Sequence, residues 1–149
     1  MRLDCEGTMA LLAYRFFSNN NCREAMTNYQ RVLGGELELM TAADMPADSG
    51  APQDIDPEFV MHAALTFADG GMLMASDDPT GDGGPVTGVA LHFTAATVAD
   101  AARIFADLAE GGDVTMPLDE VFWALRFGTC TDRFGTPWMI SVDHPGNAT

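Results

Sequence analysis

Three histidines, two serines and a set of aromatic and methionine side chains are the groups in this sequence able to do chemistry. His62 stands mid-run in VMHAALTF (60–67). An imidazole titrates near neutral pH, so His62 is the candidate catalytic acid or base. The competing reading is a satisfied structural histidine on a strand. His92, in GVALHFTA, falls two and four residues after Ala90 and Gly88. If those small residues face a pocket, strand alternation puts His92 on the same face. Ser76 and Ser141 offer hydroxyls to a ligand, but neither lies in a G-x-S-x-G nucleophile elbow. Phe122 and Trp123 are adjacent, so on a strand only one lines a pocket while the other packs beneath a helix or at a dimer interface. Parity then groups Arg126 with Phe122, and makes Arg126 the candidate clamp for an anion. Tyr14, Phe16, Met74 and Met139 complete the candidate ligand-binding set. Asp77-Asp78-Pro79 reads as turn chemistry. Cys22 opens a helix, where the dipole lowers a thiol pKa, yet its spacing assigns it to a buried stripe.

An internal repeat supplies the elements that position these residues. At an offset of 77, Ala13 falls on Ala90, Phe16 on Phe93, Ala25 on Ala102 and Gly34-Gly35-Glu36 on Gly111-Gly112-Asp113. Later the offset is 65, matching Gly70 to Gly135, Met74 to Met139 and Ser76 to Ser141. Extra residues in the first half, around DMPADSGAPQDIDP, absorb the difference and read as an exposed loop. Each half opens on a strand-like run, 11–17 and 86–94. A helix follows in each, with one apolar stripe: Cys22, Ala25, Met26, Tyr29, Val32 and Leu33, then Val98, Ala101, Ala102, Phe105, Leu108 and Ala109. Thr97 is the expected N-cap, and Gly-Gly pairs suit the helix ends. Three strands follow each helix, over 36–42, 58–67 and 71–77, then 113–117, 120–131 and 137–143. The turns are ADGG and DRFG. The expectation is a single α+β domain of two tandem β-α-β-β-β modules, 9–78 and 86–143. Its mixed sheet curls into a cup whose inner surface is the ligand site.

Composition narrows the partners. The 149 residues carry 22 acids against seven bases, a formal charge of −15, and every base is arginine. So acidic a chain repels phosphate backbones, which argues against nucleic acid. Without lysine there is no Schiff base and no phosphate-loop lysine. The apolar content, 47%, is enough for a core, and apolar runs are too short to span a bilayer. Acids at Asp4 and Glu6 argue against a signal peptide. Cys5, Cys22 and Cys130 lack metal-site spacing and read as free thiols of a cytoplasmic protein.

Five runs carry a family likeness: NNNCREAMTNYQRVLGGELE (19–38), VMHAALTF (60–67), LMASDDP (73–79), FWALRFG (122–128) and TDRFGTPWMISV (131–142). In this order they resemble the PhnB-like family of the vicinal oxygen chelate superfamily, which includes glyoxalase I, extradiol dioxygenases and bleomycin resistance proteins. The resemblance implies the paired-module cup, a small-molecule ligand and a homodimer. It leaves open whether the chain is an enzyme of unsettled activity or a binding and sequestration protein. The superfamily's metal enzymes take His and Glu ligands from first and last strands. The positions expected here, near Leu11 or Ala13, Gly88 or Ala90, Met74 and Met139, supply neither imidazole nor carboxylate. A metal-free site is therefore expected, with a divalent metal as the alternative. Family members have carried a ubiquinone methyltransferase label, but no G-x-G-x-x-G run stands in this sequence to hold a methyl-donor nucleotide.

Overall fold

Two amphipathic segments become helices, α1 (Cys22–Leu33) and α2 (Val98–Ala109), each burying its apolar stripe. The computed structural model describes residues 9–46, 55–78, 80 and 86–145. Arg2, Cys5 and positions 47–54 of the acidic, proline-bearing stretch lie outside the described residues. The chain order is β1 (Ala13–Phe17), α1, β2 (Glu36–Thr41), a 3-10 turn (Ala42–Asp44), β3 (Val60–Thr66) and β4 (Met72–Asp77). The second module repeats it: β5 (Leu91–Thr94), α2, β6 (Asp113–Val121), β7 (Ala124–Thr131) and β8 (Pro137–Val142). Each module is a four-stranded mixed sheet, ordered β1-β4-β3-β2 and β5-β8-β7-β6, and neither sheet closes into a barrel. The fold is α+β with two tandem β-α-β-β-β modules, as the repeat implied.

The register refines that repeat. Tyr14 lies opposite Met74, and His92 opposite Met139. The first strands are therefore offset by 78 (92 minus 14), one more than the sequence alignment. The helices start at 22 and 98, an offset of 76. The second module is thus two residues shorter between strand and helix (78 minus 76), and a constant offset hides it.

Caps and turns explain where elements stop. Thr97 accepts a hydrogen bond from the Asp100 amide at 3.0 Å, the expected N-cap. Helix α1 is capped differently. The Asp77 carboxylate, buried at the end of β4, accepts from the amides of Cys22 at 3.0 Å and Val60 at 2.8 Å. This corrects the reading of Asp77 as turn chemistry: an acid from a distant strand satisfies the first orphan donor of the helix and ties it to the start of β3. Of the glycine pair after α2, Gly112 is forced by space. A Cβ there would meet the Thr131 carbonyl oxygen at 2.0 Å.

The two modules meet through their helix-covered faces. Tyr29 of α1 packs on Trp138 of β8, with ring centroids 5.1 Å apart, and its hydroxyl donates to Asp132 at 2.5 Å. The buried Asp132 carboxylate also accepts from the Trp138 indole at 2.8 Å and from the amides of Phe134 and Thr136. Phe67 meets Phe93 at 5.9 Å, and Arg103 donates to the Val32 carbonyl at the end of α1. One continuous core results, holding Phe17, Met26 and Tyr29 with Ile104, Leu108 and Ile140. Burying each such side chain is worth about 1.5–3 kcal/mol.

Candidate functional site

The helix-covered face of each sheet is filled, which leaves the opposite faces open. In the first module one row across the sheet is Tyr14, Met74, Ala64 and Glu38. Phe16 stands opposite Ser76, and Met40 opposite His62, on the same open side. Tyr14 reaches across β4 so that its hydroxyl lies 3.1 Å from His62 Nδ1, with the two rings 5.7 Å apart. Phe16 leans on Tyr14 at 5.0 Å and is 57% exposed. The pair thus stands on an accessible apolar floor of methionine and aromatic side chains.

The second open face is built alike. Its row is His92, Met139, Thr129 and Met116, and beside it Thr94, Ser141, Phe127 and Asp119. His92 Nε2 lies 2.8 Å from the buried Ser141 Oγ, and Thr94 Oγ1 lies 3.4 Å from the same oxygen. Tyr14 and His92 are thus the counterparts beside the two methionines. This corrects the expectation of Leu11 or Ala13 and Gly88 or Ala90. Ala13 lies opposite the buried Leu73, on the covered face.

Two further expectations do not hold. Phe122 and Trp123 form the turn between β6 and β7, outside any strand, so parity does not apply to them. Neither packs beneath a helix. Phe122 is 91% exposed, and its ring meets Trp123 edge-on at 4.8 Å. Trp123 in turn touches Phe127 of the open face at 5.4 Å. Arg126 stands opposite Val142, in line with Gly128 and Cys130, and therefore on the covered side rather than beside Phe122. It donates to its neighbour's carbonyl, that of Leu125. Arg15 is covered too. It bonds Thr136 Oγ1 and the Phe134 carbonyl, each at 2.9 Å, and burial lowers its pKa. Among the described residues no arginine stands on either open face.

Cys22 is not activated by the helix end. Burial first, then the Asp77 charge, pushes its thiol up to about 12, and burial lifts Cys130 to about 11. Both are free thiols. The sequence reading missed Met40, Thr94 and Phe127 as open-face residues. The alternation in ELELM points to Met40, but only the pairing with β3 shows which face it takes.

A cavity of about 720 Å³ lies elsewhere, at the seam between modules. Its lining comes from 11–13 at the start of β1, 71–73 before and within β4, and 90–94 around β5. It touches the second open face only through His92 and Thr94. Among the described residues no three His, Cys, Asp or Glu side chains converge on one point, and no helix is long and apolar enough to cross a membrane.

Fold and site together define a paired-module protein with open sheet faces, and residues 12–140 match the family of the Glyoxalase/Bleomycin resistance protein/Dioxygenase superfamily. The chain belongs to that superfamily. It is 33% identical over 142 residues to protein YjdN of Escherichia coli (strain K12), covering 90% of this chain and 95% of that one. The crystal structure of protein PA1353 from Pseudomonas aeruginosa is 40% identical, with a TM-score of 0.77 over 91% of this chain and 98% of that one. A Bacillus cereus PhnB protein, described as a putative 3-demethylubiquinone-9 3-methyltransferase, is 23% identical with a TM-score of 0.70. It covers 90% of this chain and 99% of its own. At that identity it speaks for the fold alone.

Proposed function

We propose that the chain handles a small planar or apolar molecule on its open sheet faces, without a standard metal centre, as a cytoplasmic homodimer. The observation that carries this reading is the Tyr14–His62 pair, a polar couple set on a floor of the exposed Phe16 and Met40 and the half-buried Met74. An apolar surface with a few placed polar groups is the usual make-up of a small-molecule site. In a thermal-shift screen of planar metabolites, a ligand of the native state raises the melting point. His62→Ala and Phe16→Ala should shrink that rise. A screen without any stabiliser sinks the proposal.

Dimerisation is supported by the way the modules meet. Their covered faces are used within the chain, so each open face lacks an opposing sheet, and β1 and β5 are edge strands. A second copy would close both faces at once by two-fold symmetry. A monomer in light scattering removes this part of the proposal. The metal-free reading rests on the donor set. One phenol, one imidazole and two thioethers beside them, Tyr14, His92, Met74 and Met139, do not match the imidazole and carboxylate ligands of zinc, nickel or iron sites. Stoichiometric metal in the purified protein would overturn it.

Sequestration without turnover is the second reading, favoured by the adaptable methionine and aromatic lining. Mass spectrometry separates the two. A stabilising compound recovered unchanged after prolonged incubation indicates sequestration, and conversion lost in His62→Ala indicates catalysis. The methyltransferase description of the Bacillus structure finds no support in this sequence, which holds no G-x-G-x-x-G run.

A further inference from the structure

We propose that His62 is an oriented hydrogen-bond donor whose tautomer is set by Tyr14, and that it receives a neutral planar ligand through a carbonyl oxygen. This rests on the small-molecule reading of the open face and names the class of ligand.

The Tyr14 hydroxyl has one proton to place, and His62 Nδ1 at 3.1 Å is the acceptor the structure gives it. With that proton donated, Nδ1 serves as acceptor, and the imidazole carries its own hydrogen on Nε2. The reverse arrangement, with Nδ1–H donating to the phenol oxygen, leaves the phenol proton to solvent. Tyr14 is thus a positioning residue, and Nε2–H of His62 is the group left for a ligand oxygen. Around it the floor is Phe16, Met40 and Met74, which suits a flat apolar body.

The charge of the ligand follows from where the arginines went. Arg15 and Arg126 both lie on the covered side, and no arginine stands on either open face among the described residues. Glu38, by contrast, lies in the same row as Tyr14, Met74 and Ala64. In a chain of formal charge −15, a carboxylate ligand would meet a repulsive face with no cation to pair with. A carbonyl oxygen accepts the same hydrogen bond without a charge to place.

The test uses the full chain at pH 8 and three probes on one ring frame: 2-acetylnaphthalene, 2-ethylnaphthalene and 2-naphthoate, titrated by calorimetry. The acetyl compound should bind about five- to tenfold more tightly than the ethyl compound, the ratio of one net hydrogen bond. The naphthoate should bind most weakly. His62→Phe should bring the acetyl-to-ethyl ratio to about one, and His62→Gln, which keeps an amide donor, should restore part of it. Nitrogen-15 NMR of the histidines should show His62 as the Nε2–H tautomer, with Tyr14→Phe mixing the tautomers while circular dichroism stays unchanged. An acetyl-to-ethyl ratio of one in the wild type, tighter naphthoate, or an Nδ1–H tautomer overturns the proposal. If no naphthalene binds while the thermal screen still yields a stabiliser, this proposal fails and the site reading stands. If both fail, both fall.

Discussion

Cys22 and Asp77 show how a single side chain is read differently once its neighbour is known. A thiol at a helix start is expected to be acidic, yet here burial and the Asp77 carboxylate lift it to about 12. In a Cys5→Ala variant, Ellman's reagent should therefore release almost nothing from the native protein and two equivalents after denaturation. Rapid release from the folded chain would contradict the burial. The same shift has a sign in stability. Above pH 9 an unfolded chain surrenders the thiol proton that the folded one keeps, so the stabilisation present below pH 9 is lost as pH climbs towards 12. Tyr29, held well above its ordinary range of 10 by burial and by Asp132, acts in the same direction. Denaturant midpoints should fall between pH 9 and 11, less steeply in Cys22→Ala. Burial of Cys22 was legible from helical spacing. Its partner, 55 residues away, was not, because no local pattern links a helix start to the end of a later strand.

Helices α1 and α2 were legible because their period and end signals are local. The strands were legible as segments, but their faces were not. Arg126 was placed by counting back to Phe122, and the count crossed the turn at 122–123, where alternation ends. Two substitutions test the element ends. Gly112→Ala drives a Cβ into the Thr131 carbonyl and should prevent folding or cost several kcal/mol. Gly34→Ala has open space around it and pays only for a backbone of φ 83° and ψ −165° that side chains rarely adopt, about 1–3 kcal/mol. Similar losses at both sites in urea denaturation would show that the close approach is not real. Asp77→Asn places an amide donor against the amides of Cys22 and Val60. The expected cost is about 1–3 kcal/mol, read from the same titration.

On the scale of the molecule, Asp132 joins the modules by accepting from Tyr29 and Trp138. Asp132→Asn should cost about 2–4 kcal/mol and, if the modules share one core, leave a single unfolding transition. Two separated transitions in the wild type would show that the modules are independent. A formal charge of −15 also predicts that moderate salt raises the melting point by screening self-repulsion. A flat response from low to physiological ionic strength would count against it. The repeat made the two modules legible, but it was silent on which faces meet. The contacts that decide this join residues 103 and 109 positions apart, as in Tyr29–Asp132 and Tyr29–Trp138. That latch also bears on biogenesis. A ribosome delivers residues from the amino end, so α1 leaves the exit tunnel well before its aromatic seat on β8 has been translated. At about 5–20 residues per second, Tyr29 waits several seconds with its ring uncovered. During that interval the nascent first half is a natural client for a chaperone, and a chain stalled before Asp132 should be far more protease-sensitive than one released complete.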